Sequence, residues 1–194
     1  MGNMEELLIE KLKNGDEAAF RELVEKYTQS TVNICFGFVK NRKDAEDVAQ
    51  DVFIEVFRSI QSFRGDAKLS TWLYRIAVRK SIDFLRRKKR QARFRQLTSM
   101  FYEYNTDELP QFTDLDMPDR DVINKERREL LDRAIARLSV DQQTAIVLNK
   151  LQDYSYKETA EIMGRSVSSV ESLLFRGTRN LRKILYSMYE KKLL

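Results

Sequence analysis

The stretch that decides the fold is DAEDVAQDVFIEVFRSI, residues 44–60. Ala45, Val48, Ala49, Val52, Phe53, Val56, Phe57 and Ile60 recur at i, i+3, i+4, i+7 and onward, the spacing of one apolar helix face. A strand would place them at every second residue, and they do not fall so. Asp44 is the expected N-cap of this helix, after the connector Asn41-Arg42-Lys43. The opposite face carries Asp47, Gln50, Asp51 and Glu55. Residues 44–57 hold five acids and no base. A solvated face is the usual reading of such charges, but these are all of one sign, and a docking surface for a basic partner competes with it.

The helical period continues upstream. Phe20, Leu23, Val24 and Tyr27 form one stripe, with Asp16 as its expected cap, and Ile34, Cys35, Phe38 and Val39 form the next. Downstream, Phe63-Arg-Gly-Asp-Ala-Lys68 breaks the pattern. Ser70 or Thr71 is then expected to cap a helix carrying Trp72, Leu73, Ile76, Ala77 and Phe84. That helix runs into ten basic side chains and one acid over residues 75–95. Such a block is the footprint of a polyanion. Five consecutive bases, Arg86 to Arg90, repel one another unless a partner offsets them. Trp72 sits on the apolar stripe and is expected in the core.

Residues 103–121 reverse the sign, with seven acids and one base. Both prolines, Pro110 and Pro118, lie there, and no helical period is sustained, so the stretch reads as a linker. A second helical set follows with Leu130, Leu131, Ala134, Ile135 and Leu138. Capping boxes are expected at Ser139 with Gln142 and at Ser155 with Glu158. From Ser155, small Ala160, then Gly164, then Val170 and Leu173 give a helix-turn-helix pattern. A plain helical hairpin with a glycine turn is the competing reading. The second helix would expose Ser166, Ser168, Ser169, Glu171, Ser172, Phe175 and Arg176 to base edges. Arg179, Arg182 and Lys183 would extend a ridge toward phosphates.

The expected architecture is all-α: two small helical domains, 1–95 and 125–194, joined by a flexible acidic linker, 96–124. The second domain is a four-helix unit with the helix-turn-helix. The 194 residues include no His, one Cys, 6 Gly and 2 Pro. Few turn residues argue against a β-sandwich or barrel. Without His, the commonest general base and His-ligated metal sites are excluded, and a lone Cys makes no intrachain disulfide. A metal or general-acid role for the carboxylates of 44–60 lacks a second carboxylate helix. No cofactor and no enzymatic activity are expected. Cys35, on an apolar face, reads as a buried structural thiol. No apolar run approaches a membrane span and no signal peptide is read, so a cytoplasmic location without membrane insertion is expected.

The order of these parts resembles a known family. Asp44 to Phe53, Phe63-Arg-Gly, Ser70-Thr-Trp-Leu-Tyr-Arg-Ile-Ala and Arg86-Arg-Lys-Lys-Arg resemble the second conserved region of bacterial RNA polymerase sigma factors. Leu138-Ser-Val-Asp-Gln-Gln and the segments Tyr154–Gly164 and Ser166–Gly177 resemble the fourth. Two domains with a short linker is the layout of the extracytoplasmic-function subfamily.

The resemblance implies an alternative sigma factor that binds core RNA polymerase and directs it to promoters. Asp44, Glu46, Asp47, Gln50, Asp51 and Glu55 would dock on the clamp helices of the largest subunit. The flap of the second-largest subunit would be a further contact. Arg64, Asp66, Lys68, Ser70, Arg75, Arg79, Lys80, Arg86 and Arg87 would read and open the −10 element, where stacking and phosphate contacts offset the cost of melting. Ser166, Ser168, Ser169, Glu171, Ser172, Phe175, Arg176 and Arg179 would read the −35 element as duplex. The acidic linker would run through the RNA exit path as a mimic of nucleic acid. An anti-sigma protein would be a further partner. Family members commonly carry Asn where this chain has Arg79, at a position that helps choose the −10 base. Glu171 stands where relatives commonly have a base, and Glu favours cytosine N4. A stand-alone helix-turn-helix regulator is the alternative, though it would not need the acidic helix or the melting block.

Overall fold

The computed structural model describes residues 2–101 and 122–190, with side-chain surroundings given for 4–94 and 126–190. The prolines and most of the acidic linker lie outside the described residues. Among the described residues all regular structure is helical: α1 (Gly2–Lys13), α2 (Glu17–Val39), α3 (Arg42–Ser59), α4 (Leu69–Phe101), α5 (Val122–Ile135), α6 (Val140–Ile146), α7 (Tyr156–Met163) and α8 (Val167–Glu190). A 3₁₀ turn, Ile60–Ser62, follows α3, and a π-helical turn, Val147–Leu151, follows α6.

Local chemistry sets the helix ends. Asp16 caps α2, its Oδ1 accepting from the N–H groups of Ala18 and Ala19 at 2.8 and 3.1 Å. At the other end of α2, Lys40 adopts the left-handed conformation (φ 60°), and its N–H donates to Phe36 O. That reversal puts Asn41 in extended backbone, so Asn41 caps α3 by accepting from the Asp44 N–H at 2.9 Å. Asp44, the expected cap, lies inside the first turn. Ser70 and Thr71 do not open α4 either. The helix begins at Leu69, whose N–H donates to the Glu5 carboxylate of α1 at 2.9 Å. A cap supplied from another helix satisfies the same orphan donor as a local one.

Helices α1 to α4 enclose one core that includes Leu8, Leu23, Ile34, Cys35, Val52, Val56, Leu69 and Leu73. Phe57, expected with them, is 58% exposed and packs edge-to-face on Phe20 at 5.2 Å. At 100° per residue the stripe covers about half the circumference of α3, and Phe57 falls on its rim. Trp72 is half-buried, tilted against Phe63 at 5.2 Å, so it lines the core edge rather than filling its centre. A second cluster joins α6, α7 and α8 through Leu138, Ala145, Ile146, Ala160, Val170, Leu173 and Leu174.

Candidate nucleic-acid interface

Helix α3 sorts its polar side chains onto two surfaces. Glu46, Asp47, Gln50 and Asp51 are exposed. Exposed Ile54 (48%) continues that face, so the acids surround an apolar centre. Asp44 and Glu55 instead turn toward α4. Asp44 Oδ2 lies 2.8 Å from Lys88 Nζ, and Glu55 Oε2 lies 3.0 Å from Lys80 Nζ. Glu55 Oε1 also meets Arg79 Nη2 at 3.4 Å. The hydrogen bond from Lys80, reinforced by its charge, holds the Glu55 carboxyl below the usual glutamate range. Two of the five acids grouped together in the sequence are therefore partners of the basic helix. Ion pairs between residues 25 and 44 positions apart leave no trace in helical periodicity.

On α4, Arg75, Arg79, Arg86 and Arg87 are exposed, while Lys80 is half-buried. Arg64, Asp66 and Lys68 are exposed on the loop before the helix, with Ser70 half-buried at its start. Gly65 takes φ 81° in that loop. A groove of about 710 Å³ follows the basic flank, lined by the cations Lys80, Arg86, Arg87, Lys89, Arg90 and Arg93 together with Asp51 and Asp83. A trough of cations along one helix concentrates a polyanion. The Lys88 ammonium also lies over the Phe84 ring at 5.7 Å.

The helix-turn-helix has the expected joints. Ser155 and Glu158 form a reciprocal capping box at α7, and the Ser155 hydroxyl holds the Glu158 carboxyl below its usual range. Ser139 caps α6 by accepting from the Gln142 N–H. Gly164 closes α7 at φ 63°, a conformation that suits glycine. Ser166 then accepts from the Ser169 N–H at 3.2 Å and starts α8. Ala160, Val170 and Leu173 are buried between α7 and α8. Ser166, Ser168, Glu171, Ser172, Phe175, Arg176 and Arg179 are exposed, and Ser169 is half-buried. At 73% exposure, Phe175 has no packing role that would hold it outward.

One joint was invisible in the sequence. Val147, from the π-helical turn, is buried in the core of α1–α4. It sits against Gly37, where an added Cβ would approach its Cγ1 to 2.7 Å and Gln152 Nε2 to 3.3 Å. Tyr154 stacks obliquely on Tyr74 at 5.7 Å, and burial there pushes its phenol well above the usual range. Lys40 pairs with Asp132 at 3.0 Å. The Arg75 guanidinium donates twice to the Glu161 carbonyl, at 3.0 and 2.8 Å. Here a candidate −10 contact is taken up by the first helix of the helix-turn-helix.

A helix-turn-helix beside a unit with separate acidic and basic faces is the layout of a DNA-binding transcription protein that also docks on another protein. Residues 23–91 match sigma-70 region 2, and residues 128–181 match sigma-70 region 4. The chain is 35% identical to the ECF RNA polymerase sigma-E factor of Haemophilus influenzae over 172 residues, covering 89% of this chain and 90% of that one. It is 32% identical to the RNA polymerase sigma-H factor of Pseudomonas aeruginosa, covering 92% of each. The fold resembles that of CnrH in complex with the cytosolic domain of CnrY, at a TM-score of 0.61 and 20% identity, covering 94% of this chain and 97% of that one. It also resembles the sigma factor RpoE of Bartonella quintana in complex with the anti-sigma factor NepR, at 0.55 and 22%, covering 86% and 96%. The chain belongs to the extracytoplasmic-function (ECF) RNA polymerase sigma factors. It is an alternative sigma factor that directs promoter-specific transcription.

Proposed function

We propose that the work divides by domain: 1–95 docks on core polymerase and handles the −10 element, 125–194 reads the −35 element, and 96–124 connects them. The observation that carries this is the presence on the first unit of both an outward acidic face, Glu46 to Asp51, and a groove lined by six cations. Glu46, Asp47, Gln50 and Asp51 dock on the clamp helices of the largest polymerase subunit. The loop Arg64–Ser70 with Arg79, Lys80, Arg86 and Arg87 engages the −10 strand, and Arg75 joins them once it leaves the Glu161 carbonyl. Exposed Ser168, Glu171, Ser172, Phe175, Arg176 and Arg179 on α8 enter the −35 major groove, and the second unit also meets the polymerase flap. The chemistry belongs to the polymerase, and the chain acts in the cytoplasm. Among the described residues no helix is long and apolar enough to cross a membrane. An anti-sigma protein is a further partner by likeness to the Bartonella complex, in which a sigma factor is bound to the anti-sigma factor NepR.

The test is reconstituted transcription from fragmented genomic DNA with core polymerase and this chain as sole sigma. Starts sharing one −35 and one −10 motif are expected. Asp47→Lys with Asp51→Lys should cut polymerase affinity about tenfold or more, because like charges then face each other. Arg176→Ala should weaken −35 binding. A loss at one base position would mark readout, and a uniform loss with a shallower salt slope would mark a phosphate contact. Specific binding to duplex promoter DNA without polymerase, and no starts with it, would favour a stand-alone regulator.

A further inference from the structure

Helices α3 and α4 are joined by a short ladder of charges. Asp44 meets Lys88 and Glu55 meets Lys80, so the partner's number falls as the acid's number rises. That order means the helices run antiparallel. Both acids lie on the flank of α3 beside buried Val48 and Val52, with Asp51 on the same side and exposed Ile54 farther round the helix. Their side chains keep 24% and 30% of their exposure, so neither presents a free carboxylate to a docking protein. Glu55 is the more constrained. One carboxylate oxygen takes the Lys80 ammonium and the other faces the Arg79 guanidinium. The two cations are adjacent in sequence, and Arg79 is itself 60% exposed on the basic flank.

We propose that Glu55 is a positioning residue for −10 recognition: its carboxylate, anchored by Lys80, sets the direction in which Arg79 meets the base. The proposal rests on the assignment of Arg79 to the −10 element and adds a residue on another helix that acts through it. A free arginine samples many rotamers, and a fork that is already aimed loses less entropy when it meets a base edge. Glu55 leaves the guanidinium's exposed side for DNA while it holds the near side. An exposed ion pair biases such a choice modestly, so the effect is one of selectivity rather than of folding.

The experiment uses the full chain with core polymerase on a promoter library randomised through the −10 element, scored by transcript yield. A parallel competition assay gives polymerase affinity. Glu55→Ala is expected to leave affinity within about twofold and to change preference about three- to fivefold at the one position Arg79 reads. Glu55→Gln, which keeps an acceptor oxygen, should fall between. In the double variant with Arg79→Ala the Glu55 effect should vanish, since the two share one interaction. Loss of polymerase affinity like that of Asp47→Lys would return Glu55 to the docking face and overturn the proposal. So would a Glu55 effect that adds in full to that of Arg79→Ala. If Arg79→Ala alone leaves the base profile unchanged, the −10 assignment of Arg79 falls and takes the proposal with it. If only the Glu55 variants are silent, that assignment stands and the positioning role is lost.

Discussion

The two halves of the molecule are stabilised unequally. The cluster inside α1–α4 gathers 22 buried residues, one of them Val147 from the other half, whereas the cluster inside α6–α8 gathers seven. Burial of apolar area is the dominant favourable term, so the first unit holds more reserve than the second, even with Ala134, Ile135, Leu148 and Ile162 buried outside the smaller cluster. The second unit makes up part of the difference with local devices, the Ser155–Glu158 box and the Gly164 turn, and with two bonds between helices, Arg165–Asp141 at 2.7 Å and Asn180–Gln142 at 3.1 Å. It also lends Val147 to its neighbour. A large core tolerates an exposed and heavily charged surface such as α4, while a small one depends on caps and on what it leans against.

Truncation in each core gives the largest effect. Leu73, fully buried amid α2, α3 and α4, should cost about 3–5 kcal/mol when changed to Ala, because rigid neighbours leave a cavity. Leu174→Ala should cost less, about 2–3 kcal/mol, because the smaller cluster relaxes into the space more easily. Calorimetry should show Leu174→Ala moving an early transition while the main one stays. A single transition shifted equally by both variants would erase the distinction between the halves.

The joint between them is the next effect in size. Gly37→Leu places a side chain where Val147 and Gln152 now sit, and the Val147 contact at 2.7 Å leaves no room for even a Cβ. Neither core contains the displaced atoms except through Val147. The variant should therefore separate the halves, raise the radius of gyration in small-angle scattering, and destabilise the second unit by about 1–2 kcal/mol. An unchanged radius with a lower melting point of the first unit would mean that the notch serves only the core of α1–α4.

How far the sequence foresaw this arrangement differs between the same two halves. In the second, the devices are local. Ser155 and Glu158 are three residues apart, Gly164 ends a helix, and Val170 and Leu173 share one face, so spacing alone exposes the helix-turn-helix. In the first, the helices were legible from periodicity but their ends and partners were not. Glu5 caps Leu69 across 64 residues, Asp44 reaches Lys88 across 44, and Arg75 reaches Glu161 across 86. Helical spacing reports neighbours at three and four residues and is silent about these. Asp44 looked like a cap because its residue type suits one. The backbone reversal at Lys40 gave that place to Asn41.

The smallest effect isolates one half from the other. Cys35 lies at zero exposure in the α1–α4 core, and burial pushes its thiol up to about 11. The unfolded thiol ionises near its ordinary value of 9.0, so between about pH 9 and 11 the unfolded state has lost a proton that the folded state keeps. Stability should then fall as pH rises through that window, and Cys35→Ser should remove this part of the slope. Below pH 9 the thiol is protonated in both states and contributes nothing to the pH dependence. At pH 8 the native chain should resist a thiol reagent, because only the thiolate attacks and only an opened core exposes it. Leu73→Ala should speed labelling in proportion to its loss of stability. Leu174→Ala should leave labelling unchanged, because opening the second unit does not uncover Cys35. Equal acceleration by both variants would mean that the two clusters open as one, with Val147 as the link that makes them do so.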